Sequence, residues 1–343
     1  MKGLHKIIGI PAVLLLSILF IGMIRPSIPK KIVVAQDGTG DYKTIQDAIN
    51  SIPASNNETT TIFIKNGTYN EKLLIEKPNL ILEGENEEKT IINFDIARDE
   101  WRCTHPDDWG VATMNVRASD ITLKKLTVKN GYGFNNQERT IACDADSVSH
   151  QKLVRKDGHQ MALRVINATR LRATDCHFIA WGGDTVSPWD VDNGFWYFKN
   201  CIMEGGVDFY CPRGWAWAEH CSFIAHTGPA SIWHEGSKNE DEKSVLVDCS
   251  FSGYDGFLLG RYHRDAQFYL VNCRFAANMK DTAIYRVPTS NQILWGDRIY
   301  YYNCHRTSGP DYVWYKDHLP ANTKAADITI DWVFKGKWHP DKD

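Results

Sequence analysis

Of four side chains that together could form an ester-hydrolysing site, three recur at one spacing and the fourth follows at about twice that spacing. Gln160, Asp184 and Asp208 lie 24 residues apart, and Arg261 follows Asp208 by 53 residues. A carboxylate that an arginine keeps ionised can attack an ester carbonyl, while a second, protonated carboxyl gives its proton to the leaving alkoxide. We therefore expect Asp208 to be the nucleophile, Asp184 the acid and then the base, and Arg261 the group that orients Asp208. The Gln160 amide would donate a hydrogen bond to the oxyanion.

That interpretation requires a coil with about 24 residues per turn, and the cysteines supply independent evidence for one. Six of them follow a polar residue and recur at separations of 25, 20, 28, 24 and 31 residues: Cys176, Cys201, Cys221, Cys249, Cys273 and Cys304. In five of the six fragments an apolar residue stands two places after the cysteine, as strand alternation requires. The pattern predicts an all-β fold, a single parallel β-helix whose turns vary in length.

Short runs rich in β-branched residues agree with this fold, and they lie at 61–65, 73–75, 80–82, 91–94, 121–128, 163–166 and 244–247. One helix is predicted over 44–52, with Ile45, Ala48, Ile49 and Ile52 on one face and Pro53 after it. It would cover the open N-terminal end of the coil. We expect the coil to span about 32–314 and the residues from 315 to 343 to pack along its outside as a tail.

We expect the first 31 residues to form a separate segment and residues 32–343 to form one catalytic domain. An apolar run over 7–24 follows Lys2 and Lys6 and ends before Arg25 and Pro26. This is either a cleaved signal or a retained membrane anchor, and both predict export, to a secreted, periplasmic or cell-surface location. The net charge of −3 predicts no nucleic-acid surface.

Nine cysteines in an exported chain permit disulfides and leave at least one thiol unpaired. We expect the six repeated cysteines to be small buried residues stacked in a ladder, because a solenoid of this size does not require disulfides. Their spacings fit no zinc pattern, so we predict no metal and no cofactor.

Several segments resemble the pectin methylesterase (pectinesterase) family of carbohydrate esterases. The similar segments are 33–42 with 44–49, 67–72, 160–165, 183–186, 207–209, 259–261, 301–303 and 308–310. The resemblance implies a right-handed parallel β-helix and gives Gln160, Asp184, Asp208 and Arg261 the roles assigned above. It also implies a pectic polysaccharide as partner, with hydrolysis of galacturonate methyl esters, and we expect a monomer.

The chain departs from the family pattern at three positions near the expected site. Gly183 replaces a second glutamine, Cys211 an aromatic residue, and His263 a tryptophan that stacks on the substrate. Gly183→Gln should be tolerated, and it should raise activity if the missing donor limits the rate. The lost aromatic residues change the surface on which the sugar rings of the substrate would lie.

Other aromatic residues could compensate. We expect Trp181 and Trp215, close to the two aspartates in sequence, to lie in the sugar-binding cleft, with Trp233 and His263 also available for substrate. His234, about one turn after Asp208, either faces the site or is simply packed.

The stretches 100–110 and 131–159 are longer than a β-helix turn requires, so they either form walls of the binding groove or extend into solvent. Two other functions remain open: an esterase or thioesterase for small acyl substrates, and a non-catalytic β-helix that binds pectin.

Overall fold

The computed structural model describes residues 31–234 and 237–342, and these residues form a parallel β-helix. Each turn contributes strands to three stacked sheets, whose neighbouring strands are parallel and in continuous register. The predicted export segment lies outside the described residues, apart from Lys31, which begins the first strand. Within the described part of the chain, no helix is both long enough and apolar enough to cross a membrane.

Sheet I has ten strands: Lys31–Val34, Thr60–Ile64, Leu80–Gly84, Ile121–Lys124, Leu171–Thr174, Phe195–Lys199, Trp215–Glu219, Ser244–Val247, Gln267–Val271 and Arg298–Tyr302. Sheet II has nine: Gly67–Tyr69, Thr90–Asn93, Thr127–Asn130, His177–Ala180, Ile202–Gly205, Ser222–Ala225, Ser250–Gly253, Arg274–Phe275 and His305–Arg306.

Sheet III is built from two blocks. The first contains Leu73–Ile75, Met114–Val116, Leu163–Ile166 and Val186–Trp189, and the second Ala230–Trp233, Leu258–Tyr262 and Tyr285–Arg286. Single bridges from Tyr210 to Val186 and to Ile232 join the blocks. The run predicted as one strand over 121–128 is two strands in two sheets, because the chain turns at Lys125, which has a φ of 51°.

The cysteine ladder lies inside the coil, as predicted. All six repeated cysteines are buried, and the polar residue before each has a φ between 51° and 55°. Five of those six residues are Asp or Asn, the types that best tolerate the left-handed conformation. Each polar residue therefore makes the turn from sheet I into sheet II, and the cysteine after it occupies the core.

One disulfide joins Cys103 to Cys143, which are 40 residues apart in sequence. The seven other cysteines are unpaired and buried. The sequence analysis did not foresee this disulfide, because neither cysteine belongs to the repeat. It connects the two long insertions that had been predicted at 100–110 and 131–159.

The N-terminal helix spans Ile45–Ser51 and agrees with the prediction. The Thr44 side chain accepts a hydrogen bond from the Asp47 amide, and the Glu71 carboxylate accepts from the amides of Ile45 and Gln46, both at 3.0 Å. Acceptors at these positions satisfy amides that have no partner within the helix. The other helical segments described are Arg98–Trp101, Tyr132–Asn135, Ile330–Phe334 and a 3₁₀ turn, Ala325–Asp327.

The C-terminal segment packs on the outer face of sheet I, as predicted for the tail. Val333 and Phe334 are fully buried there against a cluster that includes Phe195, Trp215 and Tyr269. Sheet I therefore has apolar residues on both faces, one turned to the coil interior and one covered by the tail.

Candidate active site

A cavity of about 360 Å³ lies on the outer side of sheet III. It is lined by Arg98, Asp108, His159, Met161, Arg164, Asp184, Trp189, Asp208, Arg213, Trp233, Arg261, His263 and Val287. The volume is within the range of about 300–1,000 Å³ that small-ligand sites occupy. Three of the four side chains singled out by spacing are in this list, and Gln160 is not.

Asp184 and Asp208 occupy the same position in successive turns. Val186 and Tyr210 form a parallel bridge. Asp184 and Asp208 each stand two residues before a member of this bridge, so they lie beside each other. Neighbouring strands are about 4.7–4.9 Å apart, so the two aspartates are adjacent rungs of one stack. Both have left-handed backbone, with φ values of 60° and 48°.

Asp208 and Arg261 form a two-point ion pair. Arg261 Nε lies 3.1 Å from Asp208 Oδ1, and Arg261 Nη2 lies 2.7 Å from Oδ2. The Arg261 guanidinium also lies over the Trp233 ring, 5.1 Å from its centroid. A planar fork bound at two points fixes the carboxylate in one orientation, which a lysine could not do.

The protonation of Asp208 reflects two opposed effects. Burial raises the pKa of Asp208 to about 6, while hydrogen bonds and charge from Arg261 oppose the rise. The charge of Asp184 also raises this pKa. Asp208 is consequently ionised at neutral pH and is protonated in mild acid.

His159 is a site residue that the sequence analysis missed. Its Nε2 lies 3.7 Å from Asp184 Oδ1, and its side chain is 49% exposed where it borders the cavity. A single parallel bridge pairs His159 with Gly183, the residue just before Asp184. His159 therefore lies one turn earlier in the coil, next to Asp184. An imidazole N–H at this position can donate a hydrogen bond into the cavity.

The structure corrects the position predicted for Gln160. Its side chain is fully buried, its Oε1 accepts from the Gly133 amide at 3.0 Å, and its Nε2 donates to the Lys156 carbonyl at 2.6 Å. Neighbouring residues of an extended chain point to opposite sides, so only one of His159 and Gln160 can face the cavity. Gln160 instead anchors the long insertion to the coil.

The departures at Gly183 and Cys211 have structural reasons. A Cβ on Gly183 would stand 2.9 Å from the Val207 carbonyl oxygen and 3.0 Å from Val207 Cγ1, which is too close without backbone movement. The expectation that Gly183→Gln is tolerated is therefore wrong. Cys211 is fully buried, and burial raises its pKa to about 12, so its thiol is neither a surface group nor a nucleophile.

Of the predicted substrate-binding residues, Trp233 and His263 line the cavity, with ring centroids 4.6 Å apart in an edge-to-face contact. Trp215 lies instead beneath the C-terminal segment, 4% exposed, in contact with Phe195 and Lys335. Its strand belongs to sheet I, whose outer face is covered, so the prediction of a cleft position for Trp215 is corrected.

Trp181 and His234 are also absent from the residues that line the cavity. Trp181 packs against Phe134 and His226 near sheet II, because it directly follows a sheet II strand. His234 is fully buried, and its Nε2 is 3.1 Å from the Gly214 carbonyl oxygen. Burial lowers the pKa of His234 to about 4, so it is a neutral packed residue.

The two insertions form a wall of the cavity. Besides the disulfide, ion pairs join Glu100 to Arg139 at 2.8 Å and Asp99 to Lys152 at 3.1 Å. The second insertion contains an antiparallel hairpin of Arg139–Ala142 and Gln151–Val154. From this wall Asp108 and His159 reach the cavity, and Arg98 reaches it from the start of the short helix Arg98–Trp101. This agrees with the predicted groove wall.

Comparisons with known proteins agree with this architecture. The family model described as Pectinesterase matches residues 31–180, a stretch that ends before Asp184. Pectinesterase 4 of Arabidopsis thaliana is 29% identical over 254 residues, which cover 73% of this chain and 35% of the relative. Pectinesterase 31 of the same plant is 25% identical over 229 residues, 64% of each chain. The chain thus spans between about a third and two thirds of these relatives.

Solved pectin methylesterases have the same fold. One from Aspergillus niger superposes with a TM-score of 0.68 at 21% identity, covering 90% of this chain and 94% of that one. One from Erwinia chrysanthemi gives a TM-score of 0.66 at 21% identity, covering 92% and 99%. Another, in complex with a hexasaccharide, gives 0.68 at 22% identity, covering 90% and 98%.

Proposed function

We propose that this chain, a divergent relative of the pectinesterases, is a carboxylic ester hydrolase that removes methyl groups from galacturonate esters of pectin. The observation that carries the proposal is the ion pair of Asp208 with Arg261, one turn from Asp184 and in one cavity with it. The named relatives support the same reaction class. Pectic polysaccharide is the proposed partner and a monomer the proposed state.

In the first half of the reaction Asp208 attacks the ester carbonyl carbon. The bond from that carbon to the methoxy oxygen breaks, Asp184 gives its proton to the leaving oxygen, and methanol departs. The substrate acyl group stays on Asp208 as a mixed anhydride. Arg261 keeps Asp208 ionised and oriented for this attack.

In the second half Asp184, now a carboxylate, takes a proton from water. The resulting hydroxide attacks the anhydride, a free uronic acid leaves, and Asp208 is restored as a carboxylate. Asp184 regains the proton that it gave to methanol, so the cycle closes. Each half passes through an oxyanion that needs a hydrogen-bond donor.

His159 is the proposed donor to that oxyanion. It borders the cavity beside Asp184, whereas the Gln160 amide is bonded to backbone groups elsewhere. Trp233, His263 and the partly exposed Trp189 supply the apolar surface on which a sugar ring can lie.

The test is methanol release from methyl-esterified pectin by the purified full chain. Asp208→Asn should abolish release, because a neutral amide is a poor nucleophile. Asp248→Asn is the matched control, since Asp248 has the same left-handed backbone, with a φ of 53°, in a turn outside the cavity. Activity on aryl esters or thioesters without any methanol release from pectin would favour the small-acyl alternative. Pectin binding without any turnover would refute the proposal that the protein is an enzyme.

A further inference from the structure

A second cavity, of about 450 Å³, lies at the corner where sheet II meets sheet III. Lys72, which directly precedes a strand of sheet III, and Phe94, which directly follows a strand of sheet II, both line it. The two insertions supply Trp101 and Tyr132 to the same lining. The volume and the three aromatic side chains are typical of a site for a small ligand.

This second cavity is distinct from the catalytic one. The two meet at the short helix Arg98–Trp101, where Arg98 lines the catalytic cavity while Glu100 and Trp101 line the second. Among the described residues, none lines both cavities. A ligand in the second cavity can therefore be bound while an ester occupies the first.

The Tyr132 hydroxyl indicates that the second cavity takes a polar ligand. Tyr132 is 3% exposed, and its hydroxyl has no hydrogen-bond partner within the described part of the chain. Its ring is held in a cluster with Ala97 and Val154. The nearby Arg139 binds Glu100 instead, at 2.8 and 3.0 Å. A buried hydroxyl without a partner is costly, so a group that binds it from the cavity would be stabilising.

Lys72 is a second polar group with unused hydrogen-bonding capacity. Its ammonium lies 4.0 Å from the ring centroid of Trp101 and 5.8 Å from that of Phe94. Over residues 31–234 and 237–342, no carboxylate lies within 4 Å of this ammonium and no hydrogen bond is made by it. Burial lowers the pKa of Lys72, which reflects its loss of solvent. Its N–H groups are consequently available to a ligand.

The charges that line the second cavity cancel. Two cations, Lys72 and Arg139, face two carboxylates, Asp95 and Glu100. Glu100 is paired with Arg139, and Asp95 accepts a hydrogen bond from Asn135 Nδ2 at 2.7 Å. A neutral ligand fits this balance better than an acid does. A neutral sugar matches the whole lining, because its C–H groups can pack on aromatic rings while its hydroxyls bond to polar groups.

We propose that the second cavity binds a neutral sugar that branches from the polysaccharide whose ester Asp208 attacks. The Tyr132 hydroxyl and the Lys72 ammonium bind hydroxyl groups of this sugar, and Phe94 and Trp101 contact its ring. Binding of a neutral sugar goes beyond the proposed function, and only the statement that the sugar is a branch of the substrate rests on it.

The first test is calorimetric titration of the full chain with D-galactose, D-xylose, L-arabinose and L-rhamnose, each alone. At least one should bind, and Tyr132→Phe should weaken that binding about three- to tenfold, since one hydrogen bond is lost. The thermal midpoint of Tyr132→Phe should be unchanged or higher, because the hydroxyl has no protein partner to lose. Tyr254→Phe is the matched control, since Tyr254 is 56% exposed and outside the cavity.

Three results would overturn the proposal. The first is that none of the four sugars binds, and the second is that Tyr132→Phe and Tyr254→Phe bind equally well. The third is tighter binding of D-galacturonate than of any neutral sugar. Lys72→Met keeps the apolar stem of the side chain and should weaken the same binding. It replaces Tyr132→Phe if that variant does not fold.

The second test is methanol release from two methyl-esterified galacturonate oligomers, one of which has the bound sugar as a single branch. Tyr132→Phe should raise KM about three- to tenfold on the branched oligomer and less than about twofold on the other, with kcat unchanged on both. Sugar binding that depends on Tyr132 without any methanol release would keep the sugar site and reject the esterase. Methanol release with the same KM in Tyr132→Phe and the unaltered chain on the branched oligomer would keep the esterase and reject the branch.

Discussion

At the scale of single residues, the ionisation of Asp208 controls the pH range in which the site is active. A nucleophilic carboxylate must be deprotonated, and burial raises the pKa of Asp208 to about 6 against the opposing effect of Arg261. We therefore expect kcat/KM for methanol release to fall as pH drops through about 6. Arg261→Gln should leave only residual activity, with its acid limb at higher pH, because the cation that lowers the pKa is gone.

The measurement is the pH profile of kcat/KM for both proteins, with Arg274→Gln as the matched substitution outside the cavity. Because Arg261 lowers the pKa of Asp208, its removal can shift the acid limb of the profile only to higher pH. A profile unchanged in Arg261→Gln would show that Asp208 is not the titrating group.

His159 and Gln160 give a second residue-scale prediction, because they are neighbours with different roles. His159→Ala should lower kcat by about a hundredfold, the usual cost of an oxyanion donor, while His159→Gln should retain much of the activity. Gln160→Ala should instead cost about 1–3 kcal/mol of stability, since its buried amide holds two backbone groups. Thermal unfolding and steady-state kinetics on all three variants separate these outcomes; a stable, inactive Gln160→Ala would contradict the assignment.

Three of the four residues chosen by spacing line the cavity, and the fourth, Gln160, does not. A shift of one turn keeps a residue at the same place in the coil, so Asp184 and Asp208 could be paired from their numbers alone. A shift of one residue reverses the side on which the side chain lies, and spacing cannot resolve that.

At the scale of elements, the disulfide fixes the wall that the two insertions form. Cys103→Ser with Cys143→Ser should loosen this wall and raise KM for pectin more than it lowers kcat, because Asp208 and Arg261 belong to the coil itself. Loss of a disulfide typically costs about 2–4 kcal/mol, and here the cost should be local.

Limited proteolysis and kinetics of the double variant, compared with the unaltered chain, test this. We expect early cleavage between about residues 100 and 155 and an intact coil. Cleavage throughout the chain would show that the disulfide supports the whole fold.

Helices and strands were predictable where the sequence pattern that specifies them lies within the element itself. The helix at Ile45–Ser51 has its apolar face and Thr44 cap in sequence, and most strands alternate over four or five residues. The disulfide and the position of Trp215 were not predictable, because each depends on how separate elements meet. Both faces of sheet I are apolar, so alternation could not say which side faces a cleft.

At the scale of the whole molecule, the C-terminal segment supports the coil from outside. Phe334 is fully buried on sheet I, so Phe334→Ala should lower stability by about 3–5 kcal/mol while leaving kcat/KM unchanged at temperatures where the protein is folded. Tyr254→Ala, which removes an aromatic side chain that is 56% exposed, is the control and should change little. Denaturant unfolding of both variants decides the matter, and equal midpoints would mean that the segment contributes no stability.

The cysteine ladder has a consequence for how this molecule is made. Strand spacing of about 4.8 Å puts neighbouring ladder thiols within the Cα separation that a disulfide permits, so geometry alone does not keep them reduced. Burial does, because all six ladder cysteines are enclosed in the core, where an oxidant cannot reach their thiols. In an oxidising compartment, each turn of the coil must therefore fold and bury its thiol faster than an oxidant can react with that thiol. Slow refolding without reductant should yield mispaired chains, and the same chain refolded with reductant should not.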